Sequence, residues 1–164
     1  MTVPVAWAEP PAKLGVVNVS LLIEQAPQAK AASKKLEQEF APQQKELEKL
    51  AKKLDGLQKD YAKNKLAMSA TQRTAKEREI ALLTREIQRR RSDIQELVNL
   101  RRNEELSKLQ ALINQAIREI GESQKYDLIL YDGIAFSSKR IDITPQVLQY
   151  LQKRYKQQKA AFNR

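Results

Sequence analysis

The sequence predicts a mostly helical α+β protein in which a long antiparallel coiled-coil helical hairpin rises from a small β-containing body. Three observations carry this. Of 164 residues, 30% are charged, only four are Gly, and the aromatics are three Phe, five Tyr and one Trp, a composition of long helices rather than of a packed globule. From Ala29 to Gln124 the only helix breakers are Pro42, Gly56 and Gly121. Short β-branched runs stand at both ends of that stretch.

The first element is Leu14-Gly-Val-Val-Asn-Val19, β-branched and bounded by breakers, which reads as a short strand. Ser20 is placed to cap a short helix running to Glu24, which Pro27 interrupts. Stepping by three and four from Ser33 then gives Leu36, Phe40, Gln43, Leu47, Leu50, Leu54, Leu57, Tyr61, Asn64 and Met68. Most are apolar and the residues between them are Lys, Glu and Gln, so this is a coiled-coil seam about 37 residues and roughly 55 Å long. Pro42 is expected to bend or restart the helix, and Gly56 to weaken it locally.

The seam is lost at Met68-Ser-Ala-Thr71. Ser69-x-x-Gln72 and Thr74-x-x-Glu77 are capping-box patterns, so a second helix is expected after a tight reversal. Its seam runs Ile80, Leu83, Ile87, Arg90, Ile94, Leu97, Arg101 and Glu104. It then changes phase to Leu106, Leu109, Ile113, Ala116 and Ile120. Ile87, Val98, Leu109 and Ile120 recur every eleven residues, a period suited to nearly straight helices. Gly121 is the expected C-cap. Beyond it, Leu128-Ile-Leu-Tyr131 and Ile134-Ala-Phe136 flank Asp132-Gly133 and read as a β-hairpin. Ile141-Asp-Ile143 is a further extended piece. Thr144-Pro145 opens a last helix that buries Val147, Leu148 and Leu151, and residues 153–164 are expected to fray. Three or four strands and one helix make a core too small to be secure alone, so several chains are expected to assemble.

Absent residue types narrow the chemistry. With no Cys there are no disulfides or thiolate sites, and with no His the commonest general base and metal ligand are missing. No phosphate-binding glycine loop, nucleophile elbow or metal cluster is present. No catalytic residue, metal or cofactor is therefore expected, and an enzyme is disfavoured. The net charge of +10 points to acidic partners. It is uneven: residues 139–164 hold seven Lys and Arg against Asp142, a net +6. Aromatic platforms beside these cations are few, which weakens a nucleic-acid reading. Arg90 and Arg101 fall on seam positions. Either that face is wet, paired with Glu104 or with an anionic ligand, or the register shifts locally and carries the two Arg to its flank.

The first eight residues are apolar, and Ala6-Trp-Ala8 fits the small-x-small rule of a signal-peptidase site. They read as the remnant of an export signal, the other reading being a chance apolar tail. No run approaches the ~20 apolar residues of a membrane span.

Lys13-Leu-Gly-Val-Val-Asn-Val-Ser20 at one end of the hairpin, and Tyr126-Asp-Leu-Ile-Leu-Tyr131, Ile134-Ala-Phe and Asp142-Ile-Thr144 at the other, resemble the first and last strands of the Skp/OmpH family of periplasmic chaperones. Arg101-Arg-Asn-Glu-Glu105 resembles that family's Arg-rich stretch on the descending arm. The likeness spans about residues 13–152 and lies in the order and spacing of the motifs.

This resemblance implies a homotrimer of jellyfish-like form. Residues 1–8 would be the signal-peptide remnant, 9–28 and 125–152 a β-rich trimerisation body, 29–124 the arm with its tip at about 67–72, and 153–164 a basic tail. Val16, Val17, Val19, Leu128, Ile129, Leu130, Ile134, Phe136, Ile141 and Ile143 would build the body. Leu47, Leu50, Leu54, Leu57, Tyr61, Met68, Ile80, Leu83, Ile87, Ile94 and Leu97 would form the arm seam and client cavity. The implied function is an ATP-independent periplasmic holdase for unfolded outer-membrane β-barrel proteins, without nucleic acid. An implied lipopolysaccharide or anionic-phospholipid site falls on Arg90 and Arg101 with Arg102 adjacent; Leu100 stands where the family often has Arg. The alternative is a structural coiled coil that bridges envelope components or lies on an anionic membrane surface.

Overall fold

The computed structural model describes residues 11–162, so the expected signal remnant at 1–8 lies outside the described residues. The elements are β1 (Leu14–Val16), α1 (Val19–Gln25), α2 (Pro27–Asn64), α3 (Ala70–Ser123), β2 (Leu128–Leu130) and α4 (Thr144–Phe162). The chain divides into two compact units. One runs to Ala31 and resumes at Glu105; the other is Ala32–Glu104. None of the described helices is long and apolar enough to cross a membrane.

In the first unit β1 and β2 pair in parallel, Leu14 opposite Leu128, Gly15 opposite Ile129 and Val16 opposite Leu130. The expected hairpin around Asp132-Gly133 does not form, and residues 134–136 are not a strand. Gly133 does take a left-handed φ of 69°, and its N–H donates to Asp132 Oδ1 at 2.8 Å, so the pair makes a local turn. The strands it was expected to join find a better partner across the chain. The other edge of β1 is met by the predicted extended piece: Val16 N donates to Ile141 O at 2.8 Å and Ile143 N to Val16 O at 2.9 Å. Gly15 lies between these neighbours. A Cβ there would stand 3.0 Å from Ile143 Cδ1 and 3.3 Å from Ile129 Cγ1, so only glycine fits without displacement.

Caps differ from expectation in instructive ways. Asn18, not Ser20, caps α1, its Oδ1 accepting from Leu21 N at 3.0 Å. Thr144 is buried and spends its hydroxyl on Asn18 N (2.8 Å), while Asp142 Oδ1 accepts from Thr144 N at 2.9 Å. The openings of α1 and α4 are thereby tied together. Helix α3 passes Gly121 and ends in a Schellman motif with Lys125 in the left-handed region at φ 55°. Tyr126 N bonds Gly121 O at 2.9 Å and Lys125 N bonds Glu122 O at 3.4 Å. Lys13 secures this end from β1's side, donating to Gln124 O at 2.7 Å with its ammonium 4.2 Å from the Tyr126 ring centre. Gly121 instead admits Ile129, whose Cδ1 would lie 3.3 Å from an added Cβ.

The core of this unit gathers Val17, Leu22, Ala26, Leu109, Ile113, Ala116, Ile117, Ile120, Ile143, Val147 and Leu151. Helix α4 runs on to Phe162, so most of the expected fraying tail is helical; Arg164 lies outside the described residues.

The second unit holds the reversal. Helix α2 continues through Pro42 without restarting, and α3 begins at Ala70 after a short turn. The predicted capping box is made in full: Gln72 N donates to Ser69 Oγ at 3.2 Å and Ser69 N to Gln72 Oε1 at 2.9 Å. Thr74 is not a cap, its hydroxyl donating to Ala70 O within the helix. The antiparallel register is read from two cross-helix pairs, Tyr61 with Glu77 and Glu39 with Arg101.

Candidate functional site

The residues singled out for function fall on two kinds of surface. In the first unit, Val17 and Ile143 are buried in the core; Val16, Val19, Ile129, Ile134 and Ile141 are half-buried. Leu14, Leu128, Leu130 and Tyr131 are exposed, and Phe136 stands 87% in solvent. The alternation along β2 explains this: Ile129 turns to the core while its neighbours Leu128 and Leu130 point away. Among the described residues β2 has β1 as its one strand neighbour, so its other edge carries no strand. An apolar patch beside an open strand edge is the kind of surface on which further pairing can occur.

In the second unit, Leu47, Leu83 and Ile87 are buried, with Leu50, Leu54, Leu57 and Ile94 packed against them. Tyr61, Met68 and Ile80 are half-buried. Leu97 departs from the expected seam: it is 49% exposed, and Val98 turns inward instead. The reason is helical drift. A strict seven-residue step falls behind a 3.6-residue helix, and the eleven-residue series Ile87, Val98, Leu109, Ile120 carries the buried face instead. Leu82, Leu97 and Leu100 are left on the surface of a charged helix, as is Leu66 in the reversal.

Two of the three Arg residues singled out already hold carboxylates. Arg90 is exposed and reaches Glu86 on its own helix at 2.8 Å. Arg101 is half-buried; its Nε and Nη2 donate to Glu39 across the helix pair at 3.1 and 3.2 Å, and its Nη1 to Glu104. These hydrogen bonds to Glu39 and Glu104 raise its pKa further. The sequence-level pairing of Arg101 with Glu104 is therefore present, together with a second carboxylate from the other helix. Arg102 is exposed.

Sequence reasoning missed one polar cluster. Tyr150 donates to Glu119, which also accepts from Gln115 (2.9 Å) and Arg154 (3.4 Å). Tyr150 lies on α4 and Glu119 on α3, 31 residues apart, a pairing no local motif announces. The bond to Tyr150 holds the Glu119 carboxyl below its usual value, and raises the phenol. The cluster borders an open groove of about 1110 Å³ with Gln146, Gln149, Lys153 and Lys156 on its α4 side. It is open and its walls mix polar with apolar surface, unlike an enclosed small-molecule site.

Known proteins supply an independent comparison. Residues 13–151 match the family model described as outer membrane protein (OmpH-like). The chain is 26% identical over 138 residues to chaperone protein Skp of Pectobacterium atrosepticum, covering 84% of each. It is 29% identical over 149 residues to chaperone protein Skp of Photorhabdus luminescens, covering 88% of each. Among solved structures, an OmpH-like outer membrane chaperone candidate from Caulobacter crescentus superposes with a TM-score of 0.76 at 18% identity, over 89% of this chain and 87% of that one, a likeness of fold. With a long helical pair, a parallel β1–β2 contact and a family match along most of its length, this chain belongs to the OmpH-like outer membrane protein family, that of the Skp chaperones.

Proposed function

We propose that this chain is an ATP-independent periplasmic holdase that keeps unfolded outer-membrane β-barrel proteins from aggregating, and does so as a homotrimer. Residues 9–28 and 125–152 are its assembly body and 29–124 its arm. One observation carries the reading: the apolar surface is divided between an open strand edge and single leucines scattered along a charged helix. The first suits assembly of copies. The second offers many weak contacts, which suit a client with no fixed shape. The cationic excess attracts acidic segments at a salt-sensitive rate, and no nucleotide is required.

The test is dilution of a urea-unfolded outer-membrane β-barrel protein into buffer with stoichiometric trimer and no nucleotide. Light scattering should stay near baseline; precipitation at the same rate with and without the chain defeats the proposal. Sedimentation equilibrium checks assembly, and a monomer at micromolar concentration would remove the trimeric body. Arg90, Arg101 and Arg102 are the proposed contact for lipopolysaccharide, which would have to draw Arg90 from Glu86 and Arg101 from Glu39 and Glu104.

A second reading is favoured by the helical continuation of α4 beyond the matched segment. Lys153, Arg154, Lys156 and Lys159 lie on an ordered helix rather than a loose tail. Such a helix suits an anionic membrane surface. Cosedimentation with anionic but not neutral vesicles, in the absence of client, would support it.

A further inference from the structure

Among the polar residues that interrupt the apolar seam of the Ala32–Glu104 unit, Gln43 and Arg90 are each held by their own helix. Pro42 has no N–H to offer the carbonyl one turn back. The neighbouring Gln43 carboxamide turns onto the same stretch of α2, its nitrogen donating to Glu39 O at 2.9 Å and to Phe40 O at 3.3 Å. Arg90 likewise lies along α3, its Nε donating to Glu86 Oε1 at 2.9 Å. By the register of the Tyr61–Glu77 and Glu39–Arg101 pairs, Gln43 lies opposite the Ile94–Leu97 stretch and Arg90 opposite the Leu47–Leu50 stretch, so each interrupts a separate, nearby layer of the seam. Along these two layers runs an open groove of about 470 Å³ between the helices. Pro42, Ile94 and the half-exposed Leu97 line its apolar part, and Glu46, Arg90 and Asp93 form its rim.

We infer that this notch is a subsite for one apolar side chain of an extended, unfolded client segment. The inference rests on the holdase reading and names a place where that holding occurs. The chemistry selects this occupant. The apolar lining rewards burial of a Leu- or Phe-sized group. The rim carries two acids and one guanidinium, a mixed set that suits the donors and acceptors of an uncharged backbone and disfavours a phosphate headgroup. An extended strand brings same-face side chains about 6.6–7 Å apart, so one enters while its neighbours stay outside. Recognition is then weak and tolerant of sequence, which suits any strand of alternating apolar residues. Gln43 and Arg90 line the groove but are each held along their own helix, so neither need move far to admit a guest.

Leu82 provides the control: it is 57% exposed on the same helix but does not line the notch. With a fluorescent urea-unfolded outer-membrane β-barrel protein as probe, Leu97→Gln should weaken binding about five-fold, the loss of roughly one partly buried side chain, while Leu82→Gln should change it less than about two-fold. Neither substitution removes a buried group, so melting should be unchanged in both. The Gln43→Leu/Arg90→Leu double variant should place an aliphatic side chain in each interrupted layer, narrow the groove, raise the melting temperature and weaken client binding. A benzophenone amino acid at position 97 should crosslink to the client more than one at position 82.

Equal loss in Leu97→Gln and Leu82→Gln overturns the subsite, as does undiminished binding by the double variant. Crosslinking at position 97 to a second copy of the chain without client also overturns it, since the notch would then be an assembly contact. If the wild-type chain binds no client at all, the holdase reading itself has failed; if it binds and only these differences vanish, the notch alone has.

Discussion

The two units bury apolar surface in opposite ways. The unit containing both strands draws on α1, α3, α4 and the segments around Val17 and Ile143, so Leu22, Ile113, Val147 and Leu151 lose all contact with solvent. The Ala32–Glu104 unit has two helices and one seam, and even its best-covered residue, Ile87, remains 6% exposed. A residue surrounded by four segments can be sealed; one between two helices always has a wet flank. Body-type packing concentrates stability in a few positions. Arm-type packing spreads it over caps, i,i+4 pairs and half-buried leucines, none decisive. The second kind suits the proposed holdase role, because small openings there cost little.

The largest expected effect tests that contrast directly. Ile113→Ala should destabilise the chain by about 3–4 kcal/mol, because the cavity it leaves is enclosed. Leu47→Ala, at 7% exposure, should cost only about 1–2 kcal/mol, since its flank readily admits water. Urea denaturation of both variants measures this, and equal losses would erase the distinction. Glycines sharpen it next. Gly15→Ala pushes a methyl group to 3.0 Å from Ile143 Cδ1 and should cost about 1–3 kcal/mol by overpacking. Gly56 sits inside α2 with nothing within 4 Å of an added Cβ, so Gly56→Ala should stabilise by about 0.5–1 kcal/mol. The same substitution thus changes sign between the units.

A smaller effect comes from the reversal. Ser69→Ala removes one side of the capping box and should cost about 1 kcal/mol, felt locally. Hydrogen exchange should quicken in the first turns of α3, while amides around Ile113 and Leu151 keep their protection. Loss of protection in both places would mean that the units unfold as one and that the contrast is only of packing, not of stability.

How much of this could be read from the sequence follows the same division. The helical pair was legible, because its signals are local: the three-four spacing from Leu36 to Met68, and Ser69 followed three residues later by Gln72. Even the transfer of the buried face to Val98 was present in the eleven-residue series, although the heptad placed Leu97 inside. The strand-bearing unit was harder. Asp132-Gly133 is a strong hairpin signal, yet Leu128–Leu130 pairs in parallel with a segment 114 residues earlier, a choice made by burial of Ile129 and Val17 that no local pattern encodes. Lys125 adopts a conformation usually left to glycine because Lys13, equally remote, holds the end of α3. The notch was legible only in outline. Gln43 and Arg90 were visible as polar seam positions, but that each serves its own helix depends on the Glu39 and Phe40 carbonyls and on Glu86.

The smallest predicted effect concerns protons. In the strand-bearing unit the Tyr150–Glu119 bond lowers the Glu119 pKa and raises that of Tyr150. A depressed carboxyl contributes stability above its unfolded value, near 4.3, and loses it as pH falls through the folded one. A raised phenol contributes below its unfolded value, near 10, and loses it as pH rises through the folded one. The bond should therefore weaken at both ends of the pH range. In the Ala32–Glu104 unit, the bond to Glu77 raises the Tyr61 pKa, giving a loss at alkaline pH. All these groups are open to solvent, so screening keeps the effects slight. Melting curves from pH 3 to 11 should show Tyr150→Phe flattening a small acid and alkaline limb relative to wild type, and Tyr61→Phe flattening an alkaline one. If Tyr150→Phe leaves both limbs unchanged, the phenol–carboxylate bond is not holding α4 to α3, and that contact rests on the Arg154–Glu119 pair and on the packing of Val147 and Leu151.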